Sequence, residues 1–248
     1  PCRIGYRLSY QGQDLGVVIM DYVAEAMYYM AELKIAGWNV AAINCSFGTS
    51  NDGGLGAACD YLIAQDVLVV VAAGNSNSSS PDYLGSRTDC LDVGATDQSG
   101  NPASFSNYGS WVDIAAPGVE IMSTITDPAD PAGDYIAPLD GTSMSCPHVV
   151  GVAALLESYD PSLSAQDKWN IMVNNTKSYN QSKYVGVGIV DARACLNAIG
   201  PSCDVAANFS ASTTSGCAPL TVNFTDLSTG TGVDGWSWTF GDGGSSSA

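Results

Sequence analysis

The sequence predicts an α/β fold built on a mostly parallel sheet, followed by the start of an all-β sandwich module. Three observations carry this expectation. Helical and strand periodicities alternate over residues 1–200, the run 67–73 is apolar throughout, and composition shifts towards Ser, Thr and Gly after Gly200-Pro201. A strand with no polar face is what a parallel sheet covered on both sides requires. Strand–helix–strand order then calls for right-handed parallel crossovers.

The elements follow in order. The first residues read as the interior of a strand, and the chain starts at Pro1 rather than Met, so the N-terminus is expected to be cut. Ile19, Val23, Met27, Met30 and Leu33 recur at helical spacing, with Gly37 as the stop signal. A short buried strand is expected at 40–44, a helix at 55–64 and the apolar strand at 67–73. Parallel sheets carry their sites at the C-terminal ends of strands. Those ends here are Asn44-Cys45-Ser46-Phe47-Gly48 and Ala73-Gly74-Asn75.

Residues 90–140 are strand-rich and punctuated by Gly and Pro. Helices are expected over 142–159 and from near Ser164, where Ser164-Ala165-Gln166-Asp167 approximates a capping box. In residues 204–248, β-type runs lie at 206–211, 220–225 and 236–240. About 45 residues fall short of a sandwich near 100, so this end is also expected to be cut. The domain boundaries are set at 1–200 and 204–248.

Composition excludes several function classes. Hydrophobic residues make up 46% and charged residues 13%, which marks a globular chain rather than a disordered one. The formal charge of -17, from 8 basic and 25 acidic residues, argues against a nucleic-acid partner, which needs a Lys/Arg footprint. No substrate preference is read from that charge, and a monomer is expected. No apolar run reaches the ~18–20 residues of a membrane span.

There are eight cysteines, no C-x-x-C pair and one histidine, a poor inventory for a metal site. The even count suits an exported protein with some disulfides. Cys203 and Cys217 are the simplest pair to propose, and Cys146 is expected to be a buried thiol. Asp127, Asp130 and Asp134 cluster without EF-hand spacing and read as a solvated loop. No cofactor is required; structural calcium is left open, with no site located.

The chemistry concentrates in Gly141-Thr142-Ser143-Met144-Ser145-Cys146-Pro147-His148-Val149-Val150-Gly151. A serine hydroxyl is a poor nucleophile until a base takes its proton and donors await the oxyanion. At a helix N-terminus, the Ser143 backbone N–H has no intrahelical acceptor, and the dipole favours negative charge. Asn75, after a buried strand and a glycine, offers an amide donor at the rim of the sheet.

The segment 141–151 resembles the serine motif of the subtilisin-like proteases, the subtilases. Ala72-Ala73-Gly74-Asn75 is similar to their oxyanion-asparagine motif, and Ser46-Phe47-Gly48 resembles their substrate-binding strand. Residues 103–109 and 113–118 resemble a further hallmark. Four motifs in family order imply that family's three-layer fold, present here in part, and a secreted serine endopeptidase. The resemblance implies Ser143 as nucleophile and Asn75 as oxyanion donor. It also implies that Ser46, Phe47 and Gly48 pair with an extended peptide by strand addition, and that Ala73 and Gly74 bind substrate with them. Phe47 and the 77–86 loop are expected to shape the peptide pockets. Residues 216–226 and 236–243 resemble a polycystic-kidney-disease (PKD) repeat, which implies a spacer or surface-binding role.

The departures are specific. Subtilases order their triad Asp, His, Ser, and no histidine precedes Ser143. Asp14-Leu15-Gly16 echoes the first motif but has no buried strand to deliver it. His148 lies five positions beyond Ser143 on one helix, so it points ~140° away and ~7.5 Å along the axis. It is assigned to helix packing instead. The chain is therefore expected to be a fragment without the catalytic Asp and His, inactive alone. The alternative is a surface-binding protein with a degenerate protease fold.

Overall fold

The computed structural model describes residues 5–10, 13–127, 130–200, 206–229, 235–241 and 243–247. The chain divides into two compact units, Pro1–Leu196 and Asn197–Ala248. Within the first, β1 (Gly5–Tyr10) and β2 (Gln13–Val18) form a separate antiparallel hairpin. Asp14 lies on this hairpin, opposite Ser9, and not on the main sheet.

Helix α1 (Met20–Ile35) buries Val23, Met27 and Ala31. Met30 and Leu33, expected on the same stripe, are half-buried beside it. The helix closes where Gly37 was read as the stop. Gly37 has φ +89°, the Trp38 N–H donates to the Leu33 carbonyl at 3.0 Å, and the Gly37 N–H donates to the Lys34 carbonyl at 3.0 Å. Those two bonds are a Schellman closure, which glycine permits without strain.

The central sheet follows. Strands β3 (Ala42–Cys45), β4 (Leu68–Ala72), β5 (Leu91–Thr96) and β6 (Ile114–Pro117) run parallel in that order. Two short strands extend it: β9 (Thr176–Lys177) and β10 (Ile189–Val190), with β10 parallel to β6 and β9 antiparallel to β10. Helix α2 (Leu55–Ile63) packs with α1 on one face, where Val69 and Val71 meet Leu55, Cys59 and Leu62. Helix α3 (Thr142–Tyr159) crosses the other face against β3 to β6. Every residue of β4 and β5 is buried as a result, which is why residues 67–73 carry no polar face. The outcome is a three-layer α/β fold with a mostly parallel sheet.

Strands β7 (Ile121–Asp127) and β8 (Asp130–Leu139) form a hairpin outside that sheet. The side chains of the Asp127, Asp130 and Asp134 cluster lie outside the described residues. Helix α4 (Ala165–Asn174) starts with a complete capping box: Ser164 Oγ accepts from the Asp167 N–H, and the Asp167 carboxylate accepts from the Ser164 N–H, both at 3.1 Å. The buried Lys168 ammonium donates to Glu157 Oε2 at 2.6 Å and so ties α4 to α3. Helix α5 (Ala192–Ile199) follows.

In the second unit, β11 (Phe209–Ala211) pairs with β12 (Phe224–Asp226), and β13 (Ser237–Thr239) with β14 (Ser245–Ser247), all antiparallel. Phe209, Phe224 and Trp238 cluster with ring centroids 5.4–6.0 Å apart. Among the described cysteines, Cys45, Cys59, Cys90, Cys146 and Cys195 are buried free thiols and Cys217 is an exposed one. Cys203, the expected partner of Cys217, lies outside the described residues. No helix among the described residues is long and apolar enough to cross a membrane.

Candidate active site

The C-terminal ends of β3 and β4 flank the N-terminus of α3, and this brings the expected residues together. Ser143 is the second residue of α3. Its hydroxyl donates to the Ser46 carbonyl at 3.2 Å, while Ser46 Oγ donates to the Ser143 carbonyl at 3.0 Å. The second bond has a cause in the sequence. Pro147, four residues on, has no N–H to offer the Ser143 carbonyl, so the Ser46 hydroxyl takes that place.

The orientation of the Asn75 amide follows from its partners. Asn75 Oδ1 accepts from the Thr142 backbone N–H at 2.8 Å and from Thr142 Oγ1 at 2.9 Å. A backbone N–H only donates, so the oxygen must face Thr142 and the NH2 group must face away. Asn75 is exposed, and none of the described hydrogen bonds uses its Nδ2. A Cβ on Gly141 would stand 3.3 Å from that nitrogen. Gly141, at φ +156° and ψ 157°, occupies backbone space essentially reserved for glycine.

Thr142 and Asn107 hold this arrangement, and the sequence reading gave neither a role. Thr142 Oγ1 also accepts from the Gly74 N–H at 3.0 Å. Asn107 Nδ2 donates to the Ala73 carbonyl at 2.8 Å, and its Oδ1 accepts from the N–H groups of Ser76 and Ser78 at 3.0 and 2.9 Å. At φ +100°, Gly74 would bring a Cβ to 2.5 Å from Asn107 Nδ2, so the turn after β4 needs glycine. The 103–109 motif contained the signal for Asn107 but no indication of what it touches.

Two readings are corrected here. His148 does not pack the helix. It is exposed, its Nδ1 lies 2.8 Å from the Met144 carbonyl, and it lines a shallow pocket with Ser143, Ile121 and Ser123. Position 148 lies on the outer face of α3, while Val149 and Val152 face the sheet. Phe47 does not line the pocket beside Gly48 either. It packs against the core of α1, α2 and β4, because an extended segment that turns Ser46 and Gly48 one way turns residue 47 the other. Among the described residues no histidine or carboxylate accepts from the Ser143 hydroxyl.

A second pocket, of about 730 Å3, opens beside the site. Its walls are Gly48 on one side and Ala73 and Gly74 on the other, with Asp82 of the 77–86 loop in its lining. The Asp82 carboxylate accepts from the N–H groups of Thr49 at 3.1 Å and Gly85 at 2.9 Å. Below the rim, burial beside the Asp113 and Asp82 carboxylates pushes Asp92 up to about 9, and burial raises Asp113 to about 6. Cys146 is pushed up to about 12 by burial and is unsuited to act as a thiolate.

Comparison with known proteins agrees with this geometry. Residues 8–193 match the model of the subtilase family. The chain is 42% identical over 159 residues to subtilisin BL of Lederbergia lenta, covering 64% of this chain and 56% of that protein. It is 38% identical over 176 residues to thermitase of Thermoactinomyces vulgaris, covering 71% and 57%. The chain thus spans little more than half the length of these curated relatives. Among solved structures, a protease of Pseudoalteromonas arctica PAMC 21717 superposes with a TM-score of 0.65 at 29% identity, covering 74% of this chain and 59% of that one. The prenylagaramide maturation protease PagA gives 0.62 at 25% identity, covering 74% and 69%. With the family model matched over most of the chain and the fold shared, this chain belongs to the subtilase family.

Proposed function

We propose that the chain forms the C-terminal part of the catalytic domain of a secreted serine endopeptidase, with Ser143 as nucleophile. The observation that carries this is the Asn75 amide. Thr142 pins its oxygen twice, and its NH2 group stands beside Gly141 without an acceptor. A rigid, unpaired donor next to a helix-terminal serine is what a developing oxyanion needs.

In this reading an extended peptide pairs along residues 46–48, opposite Ala73 and Gly74. Ser143 Oγ attacks the scissile carbonyl as a general base takes its proton. The carbonyl oxygen gains the negative charge and is met by Asn75 Nδ2 and the Ser143 N–H. Collapse expels the amine, which recovers the proton, and water then releases the acyl group from Ser143. The base and the carboxylate that orients it come from residues outside this chain, so the chain alone does not turn over. The protein works as a monomer and needs no cofactor for the chemistry. Residues 204–248 are the beginning of a PKD-type sandwich.

A fluorophosphonate probe tests both halves of the reading. It should label Ser143 in the full-length protein that carries this chain, lose that label in Ser143→Ala, and leave residues 1–248 alone unlabelled. An unlabelled full-length protein overturns the peptidase reading, and rapid labelling of residues 1–248 overturns the fragment reading.

A further inference from the structure

The pocket beside Asn75 contains one carboxylate and nothing to neutralise it. We propose that Asp82 determines specificity at this site. Its carboxylate receives the cationic side chain, lysine or arginine, of the substrate residue whose carbonyl Ser143 attacks. This rests on the peptidase reading above and extends it to a substrate class.

The position of the pocket selects the substrate residue. Ser143 Oγ is bonded to the Ser46 carbonyl, and Gly48 lies two residues along the same extended segment, on the same side. On the facing segment, Asn75 directly follows Ala73 and Gly74. A peptide lying along 46–48, with its scissile carbonyl oxygen towards Asn75, must drop that residue's side chain between Gly48 and Ala73-Gly74. That space is the pocket, and Asp82 lines it.

Its chemistry selects the charge. Asp82 is the sole acid among the lining residues, whose other side chains are hydroxyls, the Asn107 amide, Ala73, Pro81 and the Tyr83 ring. None of the described ion pairs uses it. A carboxylate has about four acceptor positions, and the Thr49 and Gly85 N–H groups occupy two. Those bonds aim the carboxylate and leave capacity for an ammonium or guanidinium. The side chain is half-buried, so salt screens it less than a surface charge. An apolar side chain would desolvate the carboxylate without replacing its water, which selects against that class. Gly48 is also required. A Cβ there would come to 2.6 Å from Asp82 Oδ2, so only glycine lets the carboxylate reach this wall.

The whole chain carries a charge of -17 and attracts any cationic peptide, so the test must vary position at constant charge. In the full-length protein, kcat/KM is compared for three peptides. They carry Lys before the scissile bond, Leu there, or Leu there with the Lys moved one residue upstream. The first should exceed both others by about ten- to a hundredfold, as a charge-assisted hydrogen bond allows. Asp82→Asn should remove that advantage by lowering cleavage of the first peptide, while the Leu peptide is cleaved faster than by the wild type because its side chain no longer desolvates a carboxylate.

Equal rates on all three peptides overturn the proposal alone, and so does an Asp82→Asn loss shared by all three, which would reduce Asp82 to holding the loop. Failure to cleave any peptide overturns the peptidase reading and this proposal with it. A readout without turnover uses benzamidine on residues 1–248. It should shift the Thr49 and Gly85 amide resonances saturably, whereas neutral benzamide should not. No shift, or one that persists in Asp82→Asn, overturns the proposal.

Discussion

The two ends of α3 use polar side chains in opposite ways. At its N-terminus, Thr142 and Ser145 are bonded inward, to Asn75 and to the Ala116 carbonyl, while the Asn75 amide and the Ser143 N–H remain open. At its C-terminus, Glu157 faces Lys168 at 2.6 Å, and the Lys168 ammonium also meets the Leu163 carbonyl. Both side chains of that pair are almost wholly buried. One end keeps donors unsatisfied, and the other pairs its buried charges. A buried ion pair contributes little net stability but is costly to break, whereas an open donor costs little at a wet rim and gains its worth when charge develops beside it. In the proposed peptidase the polar residues at one end bear on chemistry, and those at the other on stability.

The largest expected effect is at the closed end. Lys168→Ala leaves the Glu157 carboxylate buried without a partner and should cost about 3–5 kcal/mol in urea unfolding. The double variant Glu157→Leu with Lys168→Met keeps the volume and removes both charges, so it should unfold close to the wild type. A single variant that costs less than 1 kcal/mol would mean that water reaches the pair, and the contrast between the ends would weaken.

At the open end the same kind of truncation should act mainly on rate. Asn75→Ala in the full-length protein should lower kcat by about 10²–10³, or ~3–4 kcal/mol, a scale taken from subtilisins themselves. KM should barely move. Thr142 is buried, so its N–H and Oγ1 lose the acceptor that Asn75 supplies, and stability should fall by about 1–2 kcal/mol.

Asp92 belongs to neither pattern and sharpens the contrast. It is buried, and its Oδ1 has no partner among the described residues. Burial, together with Asp113 and Asp82, holds its folded value at about 9, against ~3.9 for an unfolded aspartate. Between pH 4 and 9 the folded protein therefore binds the extra proton, so this group lowers stability as pH rises through that window and levels off above about 9. Asp92→Asn should flatten that slope and stabilise the protein by roughly 2 kcal/mol at pH 8, well below the full linkage value because interiors relax and admit water. An unchanged slope from pH 5 to 8 would show that Asp92 is ionised in the fold. Asp113, raised to about 6 and bonded to the Asp92 N–H, adds a smaller slope of the same sign below pH 6.

What could be read in the sequence was whatever is written in local periodicity or in motif spacing. The apolar run 67–73 predicted a strand covered twice, and Gly37 predicted the closure of α1. The grouping of Ser143, Asn75 and Ser46 was implied by the four motifs that resemble the subtilases in order. The failures have a common physical origin. Asn107 clamps the Ala73–Ser78 turn from 30 residues away, and Asp82 enters the pocket only because its loop folds back under Gly48. Neither contact leaves a local pattern. Phe47 is different, because strict alternation after β3 already turns it away from Ser46 and Gly48. Its packing against the core was legible.

The smallest effect lies beside the closed end. Ser164→Ala removes the hydroxyl that satisfies the Asp167 N–H and leaves Asp167 as half of a capping box. N-cap losses of this kind cost about 1 kcal/mol. The Asp167 carboxylate can still accept from the backbone N–H of residue 164, so the loss should fall at or below that figure. Because Lys168 follows the box directly, its alignment with Glu157 depends on where α4 begins. If the cap only ends the helix, Ser164→Ala and Lys168→Ala should add within ~0.5 kcal/mol. If the cap sets the position of the buried pair, the double variant should lose clearly less than the sum, since the second change would act on a pair already displaced. A double-mutant cycle in urea separates the two outcomes and shows whether the closed end is held by the ion pair alone or by the start of α4 as well.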